Sequence, residues 1–329
     1  MLKKTTKQLL QNSKNLLAFS AGVDSSALFF MLDENNITFD IAIVDYGLRE
    51  QSKKEIAYAK ELAKRYNKKC YLKIAPKITT NFEATAREIR YSFFKELICS
   101  YNYDNLLTAH HLGDRFEWLL MQFCKGAGCI ELSGMREYEM REGYRLVRPL
   151  LHVDKQELIT YLHTKKIEYF IDESNSDDKY KRNSFRNKHA MPLLKEYLSG
   201  IKKSFDYIDT DRALLIQENK LQKINQLACF LQHNKRSDIY YIDKYLKSIG
   251  HIMTHEERKL LQEQKSVVIG RKFIVCQVSN YICIAPYIQV KKFTKEFKEK
   301  MRSLHIDPKL RGYLAEDLEA VTFLSLLLA

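Results

Sequence analysis

The chain has 329 residues, 45% of them hydrophobic, which suits one domain of ordinary size plus one or two smaller ones rather than a single core. Lys and Arg (54) exceed Asp and Glu (41), giving a formal charge of +13, and a surplus spread along the chain favours a polyanionic partner, most commonly nucleic acid. The seven cysteines are odd in number and lack a C-x-x-C pair, which argues against a disulfide framework or a zinc or iron–sulfur site; neither end carries an apolar run of spanning length, so a cytoplasmic protein without a membrane partner is expected.

Residues 15–19 form a short apolar run that reads as a buried strand, and from Ser25 onward the apolar spacing is helical. The chain therefore turns sharply through Ser20, Ala21, Gly22, Val23, Asp24 and Ser25, with Ser26 following. Small residues let backbone N–H groups approach a ligand, Ser20 and Ser25 add hydroxyls, and the new helix points the positive end of its dipole into the same space. That is an anion cradle, and it lacks the lysine of the G-x-x-x-x-G-K-[ST] loop. The competing reading is a plain strand-to-helix turn with Asp24 or Ser25 as N-cap.

Next come an apolar run over residues 39–45, a helical stretch over 50–66, a strand over 70–74, a helix over 83–100 and a strand over 105–108. Strands alternating with helices of this length predict an α/β fold with a parallel sheet, with ligands at the carboxyl ends of the strands. A helix follows Asp114 and Glu117; another covers 152–165 after Pro149 ends a strand. An acidic polar loop from Ile171 hands over to a helix start carrying Arg182, Asn183 and Arg186. Residues 193–231 read as continuously helical, interrupted only by Gly200, and residues 266–286 alternate as a small antiparallel hairpin. The expected domains are 1–215 with a linker helix, a smaller α(+β) unit over 216–290 in a mostly helical C-terminal part, expected to bind tRNA or substrate, and a basic helical tail over 291–329.

Several of these stretches together resemble one family. S-x-G-x-D-S at Ser20–Ser25 is similar to the PP-loop of the N-type ATP pyrophosphatases, with Ala21 in place of a glycine, tolerable if its φ stays negative. Within that group, Val44-Asp45-Tyr46-Gly47-Leu48-Arg49, Glu83 to Tyr91, Thr108 to Glu117, Lys125 to Met135, Arg148 to Leu151 and Ile171 to Arg186 resemble the motifs of the tRNA(Ile)-lysidine synthetases, in the family's order. The departures are Tyr46 for histidine, Gly113 for aspartate, Arg115 for glutamine, Trp118 for threonine and Lys125 for arginine. The likeness covers about residues 14–195, and a looser one over 297–311 suits a remnant of the extra C-terminal domain of longer members.

The resemblance implies a Rossmann-like PP-loop domain and a ligase. Such an enzyme uses ATP and Mg²⁺ to adenylate the wobble cytidine of tRNA(Ile) with a CAU anticodon, and L-lysine then displaces AMP. Ser20, Gly22 and Ser25 would hold pyrophosphate oxygens and Asp24 would bind Mg²⁺. Arg87 and Arg90, three apart on a helix, suit phosphates, although a solvated basic face beside Glu88 explains them equally. Arg182, Asn183 and Arg186 suit a phosphate or a base edge. The ammonium of the attacking lysine, whose pKa is ordinarily about 10.4, needs a carboxylate, and Asp114 and Glu117 are the candidates. The same pair also fits a helix capping box. A general base is not identifiable. Two other readings stay open: another PP-loop enzyme such as a thiolase, and a tRNA-binding protein with a decayed site.

Overall fold

The computed structural model describes residues 1–47, 51–141, 143–171, 181–290 and 292–328, with the side chains of Lys181 and Arg182 left out. They divide into two units, Met1–Asp209 and Thr210–Ala329.

The first unit contains, in order, α1 (Lys4–Gln11), β1 (Asn15–Ala18), α2 (Val23–Glu34), β2 (Phe39–Asp45), α3 (Gln51–Arg65), β3 (Cys70–Ile74), α4 (Phe82–Tyr101), β4 (Asn105–Leu107), α5 (Leu112–Phe123), α6 (Cys129–Ser133), β5 (Tyr138–Arg141), β6 (Tyr144–Val147), α7 (Lys155–Thr164), α8 (Lys181–Phe185), a π-helical turn (Arg186–Ala190), and most of α9 (Met191–Leu215). The sheet order is β3-β2-β1-β4-β6-β5, parallel except for the edge strand β5. Alternate strand residues face opposite sides. Leu17, Ile41, Ile43, Leu107 and Val147 pack against α2, α3 and α7, whereas Leu16, Ala42, Leu106 and Leu146 pack against Phe93, Phe94, Leu97 and Ile98 of α4. A sheet covered on both faces explains why its strands read as unbroken apolar runs. At the base of the sheet, buried Asn105 donates to Asn15 Oδ1 (2.7 Å), tying β4 to β1.

The chain leaves β1 toward β2 on one side and later returns to β4 on the other. The carboxyl ends of β1 and β4 thus flank the topological switch point, where an open α/β sheet leaves a crevice.

The second unit is built on a five-stranded antiparallel sheet in the order β7-β8-β11-β10-β9, with β7 (Gln222–Ile224), β8 (Leu227–Leu231), β9 (Ser266–Ile269), β10 (Phe273–Val278) and β11 (Tyr281–Pro286). Ile239, Ile242, Tyr245 and Leu246 of α10 (Lys235–Ser248), together with Met253, cover one face, and partly buried Leu261 of α11 (His255–Glu263) joins them. The other face is covered by Met301 of α12 (Lys295–Ser303), Tyr313 and Leu314 of α13 (Arg311–Glu316) and Val321 and Leu324 of α14 (Leu318–Leu328).

This corrects the continuous helix expected over 193–231. The helix stops at Leu215, and β7 and β8 follow, joined by a turn in which Asn225 takes φ 47°. The expected hairpin is part of a larger sheet. Residues 292–328 supply half of that sheet's cover, and Gly312 lets α13 approach the chain so closely that a Cβ there would meet Ile288 O at 1.8 Å. Among the described residues no helix is long and apolar enough to cross a membrane.

Candidate active site

A cleft of about 650 Å³ opens at the switch point, within the range of small-ligand pockets. Ser20, Gly22, Val23, Asp24 and Ser25 line it from the loop after β1, Arg87 and Arg90 from α4, His110, His111 and Asp114 from the segment after β4, and Asn183 and Arg186 from beyond α7. Of the residues expected to act together, Ala21, Ser26 and Glu117 are buried and do not line the cleft. The side chain of Arg182 lies outside the described residues.

The loop after β1 closes on itself. Ser20 N–H donates to Ser25 Oγ (3.2 Å), the two hydroxyls lie 3.1 Å apart, and Ser25 Oγ donates to Gly22 O (3.3 Å). Gly22 is the N-cap of α2 and no side chain caps it, so Asp24 and Ser25 are not caps, and the first N–H groups of the helix are left for a ligand. Phe170 N–H donates to Ala21 O (2.9 Å), which brings Ile171 to the rim of the cleft.

Ala21 overturns one expectation. Its φ is 58°, so an L side chain sits where glycine is the easy choice, at a cost of about 1 kcal/mol. The strain is local, and Ala21→Gly is expected to raise Tm by about 2–4 °C for a unit of this size. Calorimetry checks this, and an unchanged or lower Tm would mean that the added freedom of the unfolded chain outweighs the strain.

Asp24 has one carboxylate oxygen, Oδ1, buried and without a hydrogen-bond partner among the described residues, while the other, Oδ2, lies 4.0 Å from His111 Nε2. Leaving an acceptor dry and unpaired is costly, so the site is suited to a ligand that brings a donor or a cation. A hard divalent ion fits, taking one oxygen here and the rest from phosphates and water. Among the described residues no group of three His, Cys, Asp or Glu could hold a metal alone, so phosphate would have to complete the coordination.

His111 organises the floor. It is the N-cap of α5: its Nδ1 accepts from Gly113 N–H (3.0 Å), and its own N–H donates to Asp114 Oδ2 (3.1 Å). An acceptor Nδ1 puts the proton of the neutral ring on Nε2, which faces Asp114 Oδ2 (3.6 Å) as well as Asp24. So held, His111 turns Nε2 toward two carboxylates without hydrogen-bonding either, and its Nδ1 lone pair is taken up by Gly113 N–H. The capping box expected at Asp114 and Glu117 thus exists three residues earlier. Asp114 closes it, and Glu117 has no part in it.

Glu117 is 1% exposed and accepts from Arg186 Nε (2.9 Å), while Arg186 Nη2 reaches Asp114 Oδ1 (3.3 Å). Arg186 therefore serves the two carboxylates directly, a contact that sequence spacing does not reveal across 69 residues. Arg87 and Arg90 both line the cleft, and the Arg87 guanidinium lies 4.7 Å from the Tyr91 ring. Lys155, at the start of α7, also lines the cleft and carried no motif signal of its own.

Comparison with known proteins decides among the families this geometry admits. The PP-loop domain family matches residues 1–193. The tRNA(Ile)-lysidine synthase of Helicobacter pylori is 40% identical over 94% of this chain and 92% of its own length, and that of Wolinella succinogenes is 43% identical over 92% and 93%. The chain belongs to the tRNA(Ile)-lysidine synthase family. A U34-tRNA thiolase from Methanococcus maripaludis superposes with a TM-score of 0.51 at 16% identity, over 64% of this chain and 79% of that one, which shows a shared fold.

Four departures from the lysidine synthase pattern acquire physical reasons. A Cβ on Gly113 would lie 2.7 Å from His111 Cε1, so the missing side chain is what lets this imidazole fold back as a cap. Arg115, buried where the pattern has glutamine, donates through Nη1 to Asp209 Oδ2 (3.0 Å) and twice to Ser133 O, and stacks 4.2 Å from the Phe205 ring. It ties α5 to α6 and α9 and does not line the cleft. Trp118 does similar work, donating to Glu131 O (3.3 Å) with its ring against Gly134. Tyr46 donates to Ala86 O (3.0 Å) and so pins α4 to the end of β2. Burial raises its pKa, the Arg90 guanidinium pulls partly the other way, and the phenol stays neutral.

Proposed function

We propose that the chain is a tRNA(Ile)-lysidine synthase, ligating L-lysine to C2 of the wobble cytidine in the CAU anticodon of tRNA(Ile) with ATP and Mg²⁺. The observation that carries the reading is the meeting of the anion cradle after β1 with Asp114 after β4 in one cleft, with His111 Nε2 lying between Asp24 (4.0 Å) and Asp114 (3.6 Å). The strong identity to lysidine synthases over nearly the whole chain supports the same reading.

The C2 oxygen of cytidine attacks the α-phosphorus of ATP and pyrophosphate leaves; the ε-ammonium of lysine gives up a proton to solvent, the amine attacks C2, the C2–O bond breaks, AMP departs with that oxygen, and the remaining excess proton on nitrogen passes to solvent. Ser20 and Ser25 turn their hydroxyls from each other to pyrophosphate oxygens, and the open N-terminus of α2 adds backbone donors. Mg²⁺, bound through Asp24, would neutralise charge on the leaving group. Arg87 and Arg90, which line the cleft, offer cations to phosphates, Asn183 and Arg186 line the same cleft, and Arg182, whose side chain lies outside the described residues, keeps its expected part in tRNA binding. Asp114 and Glu117 hold the ammonium of lysine near the adenylated base. A tRNA substrate places the enzyme in the cytoplasm.

The test is pyrophosphate release from ATP with and without an unmodified CAU-anticodon transcript. Release that depends on this tRNA supports an enzyme, and no release at all would leave only a tRNA-binding protein with a decayed site.

The basic surface has its own expectation. Deleting residues 292–328 would strip the cover from one sheet face and so test folding instead of binding. Neutralising exposed Lys295, Lys298 and Arg302 of α12 keeps that cover, since Met301 is the residue of α12 buried in the core. If α12 contacts tRNA, each lost phosphate contact lowers the log–log salt slope of binding by about one. An unchanged slope in the triple variant would place α12 off the interface.

A further inference from the structure

Arg186 stands between the cleft and Glu117. Arg186 and Asp114 line the cleft, while Glu117, almost wholly buried, sits behind the guanidinium and pairs with it at 2.9 Å. Asp114 Oδ2 is engaged by the backbone of His111, which leaves Oδ1, the atom facing Arg186 at 3.3 Å, as its outward acceptor. The two carboxylate atoms assigned to the ammonium of lysine are thus the two that Arg186 occupies. An ammonium held at the same two atoms competes with the guanidinium for them. Exchanging one cation for another at these carboxylates keeps the charge balanced.

We propose that Arg186 is a stand-in for the substrate's ammonium, yielding Asp114 and Glu117 to lysine when a nucleotide phosphate enters the cleft and takes the guanidinium. The inference rests on the lysidine synthase reading and adds to it an order of binding: phosphate first, lysine second. The released arginine has a destination close by, because Arg186 lines the same cleft as Ser20, Gly22 and Ser25. It also has a means of moving. Arg186 opens the π-helical turn Arg186–Ala190, wedged between α8 and α9, and a π turn returns to α-helical pairing by shifting one residue in register. An empty lysine site that is filled by the protein's own cation keeps lysine and other amines away until the nucleotide is in place.

Equilibrium dialysis with labelled L-lysine tests the exchange, on the whole protein, with and without Mg²⁺ and a non-hydrolysable α,β-methylene ATP. Wild-type affinity for lysine is expected to rise about tenfold with the analogue, a typical coupling between two sites. Arg186→Gln is expected to bind lysine at the tighter value without the analogue and to gain nothing from it. Arg186→Lys, which keeps a cation in place, should retain weak binding in the absence of nucleotide. The wild-type comparison stands even if a variant fails to fold. No gain with the analogue in wild type, or unchanged or weaker lysine binding in a folded Arg186→Gln, would overturn the proposal. Formation of lysidine by wild type under full conditions separates the two levels: with lysidine formed and no coupling the exchange alone falls, and with none formed the reading beneath it falls too.

Discussion

Asp24→Asn is expected to reduce pyrophosphate release by a factor on the order of 10²–10³ while tRNA affinity changes little. Asparagine has nearly the same shape, so packing in the loop is preserved; what it removes is the charge on the one loop carboxylate, whose Oδ1 is buried and unpartnered among the described residues. A merely structural aspartate in the first turn of α2 would contribute through the helix dipole about 0.3–1 kcal/mol, visible as a small drop in Tm and nothing more. The two accounts separate in one experiment. Near wild-type pyrophosphate release by a variant with a slightly lowered Tm would assign Asp24 to the helix and remove it from the chemistry.

Glu117→Gln is the second large effect. With saturating ATP and tRNA, the KM for lysine should rise on the order of 10–100-fold, because the amide replaces a charge-assisted partner of the ammonium. Lysine-independent pyrophosphate release should hold nearly constant. The capping explanation, open from sequence alone, no longer applies to this residue, since the capping box of α5 is made by His111 and Asp114. A stability cost of about 1–2 kcal/mol also follows from weakening the pair with Arg186, which is 23% exposed and can rehydrate in part. If adenylation and lysine transfer fall together, Glu117 acts on the nucleotide or on folding. If neither changes, the ammonium binds elsewhere.

The parallel sheet is readable in detail because its central strands are buried on both faces. β2 and β3 begin and end where the apolar runs over 39–45 and 70–74 do, and the switch point follows from the order in which the chain visits them. The second unit was less readable. Between β7 and β8 the turn is made by Asn225, without Gly or Pro, inside a stretch whose apolar spacing also fits a helix; long-range pairing of β8 with β11 settles it. Of the β5–β6 hairpin, the strand ended by Pro149 is legible and its edge partner β5 is not, for a similar reason. Its edge strand is short and largely exposed, so no apolar run marks it.

At the site, local motifs point to Ser20, Gly22, Val23, Asp24, Ser25 and Asp114, which share one cleft, but do not show that Ala21, Ser26 and Glu117 are buried off it, nor what partners these residues have. Nothing in the spacing shows that Arg186 pairs with Glu117, that Gly113 makes room for the His111 ring, or that Arg115 finds Asp209 across the fold. Those contacts belong to tertiary packing. Ala21 shows the opposite limit: the substitution was visible, but its cost depends on a φ of 58° that composition does not reveal.

The central claim is that this cleft joins lysine to a tRNA cytidine, and the direct measurement is mass spectrometry of nucleosides. An unmodified CAU-anticodon tRNA(Ile) transcript is incubated with the protein, ATP, Mg²⁺ and isotope-labelled L-lysine, then digested. The account predicts one labelled lysidine at the wobble position, formed only when ATP is present and absent with Asp24→Asn. Unmodified cytidine at that position after incubation with folded, tRNA-binding wild-type protein would contradict it.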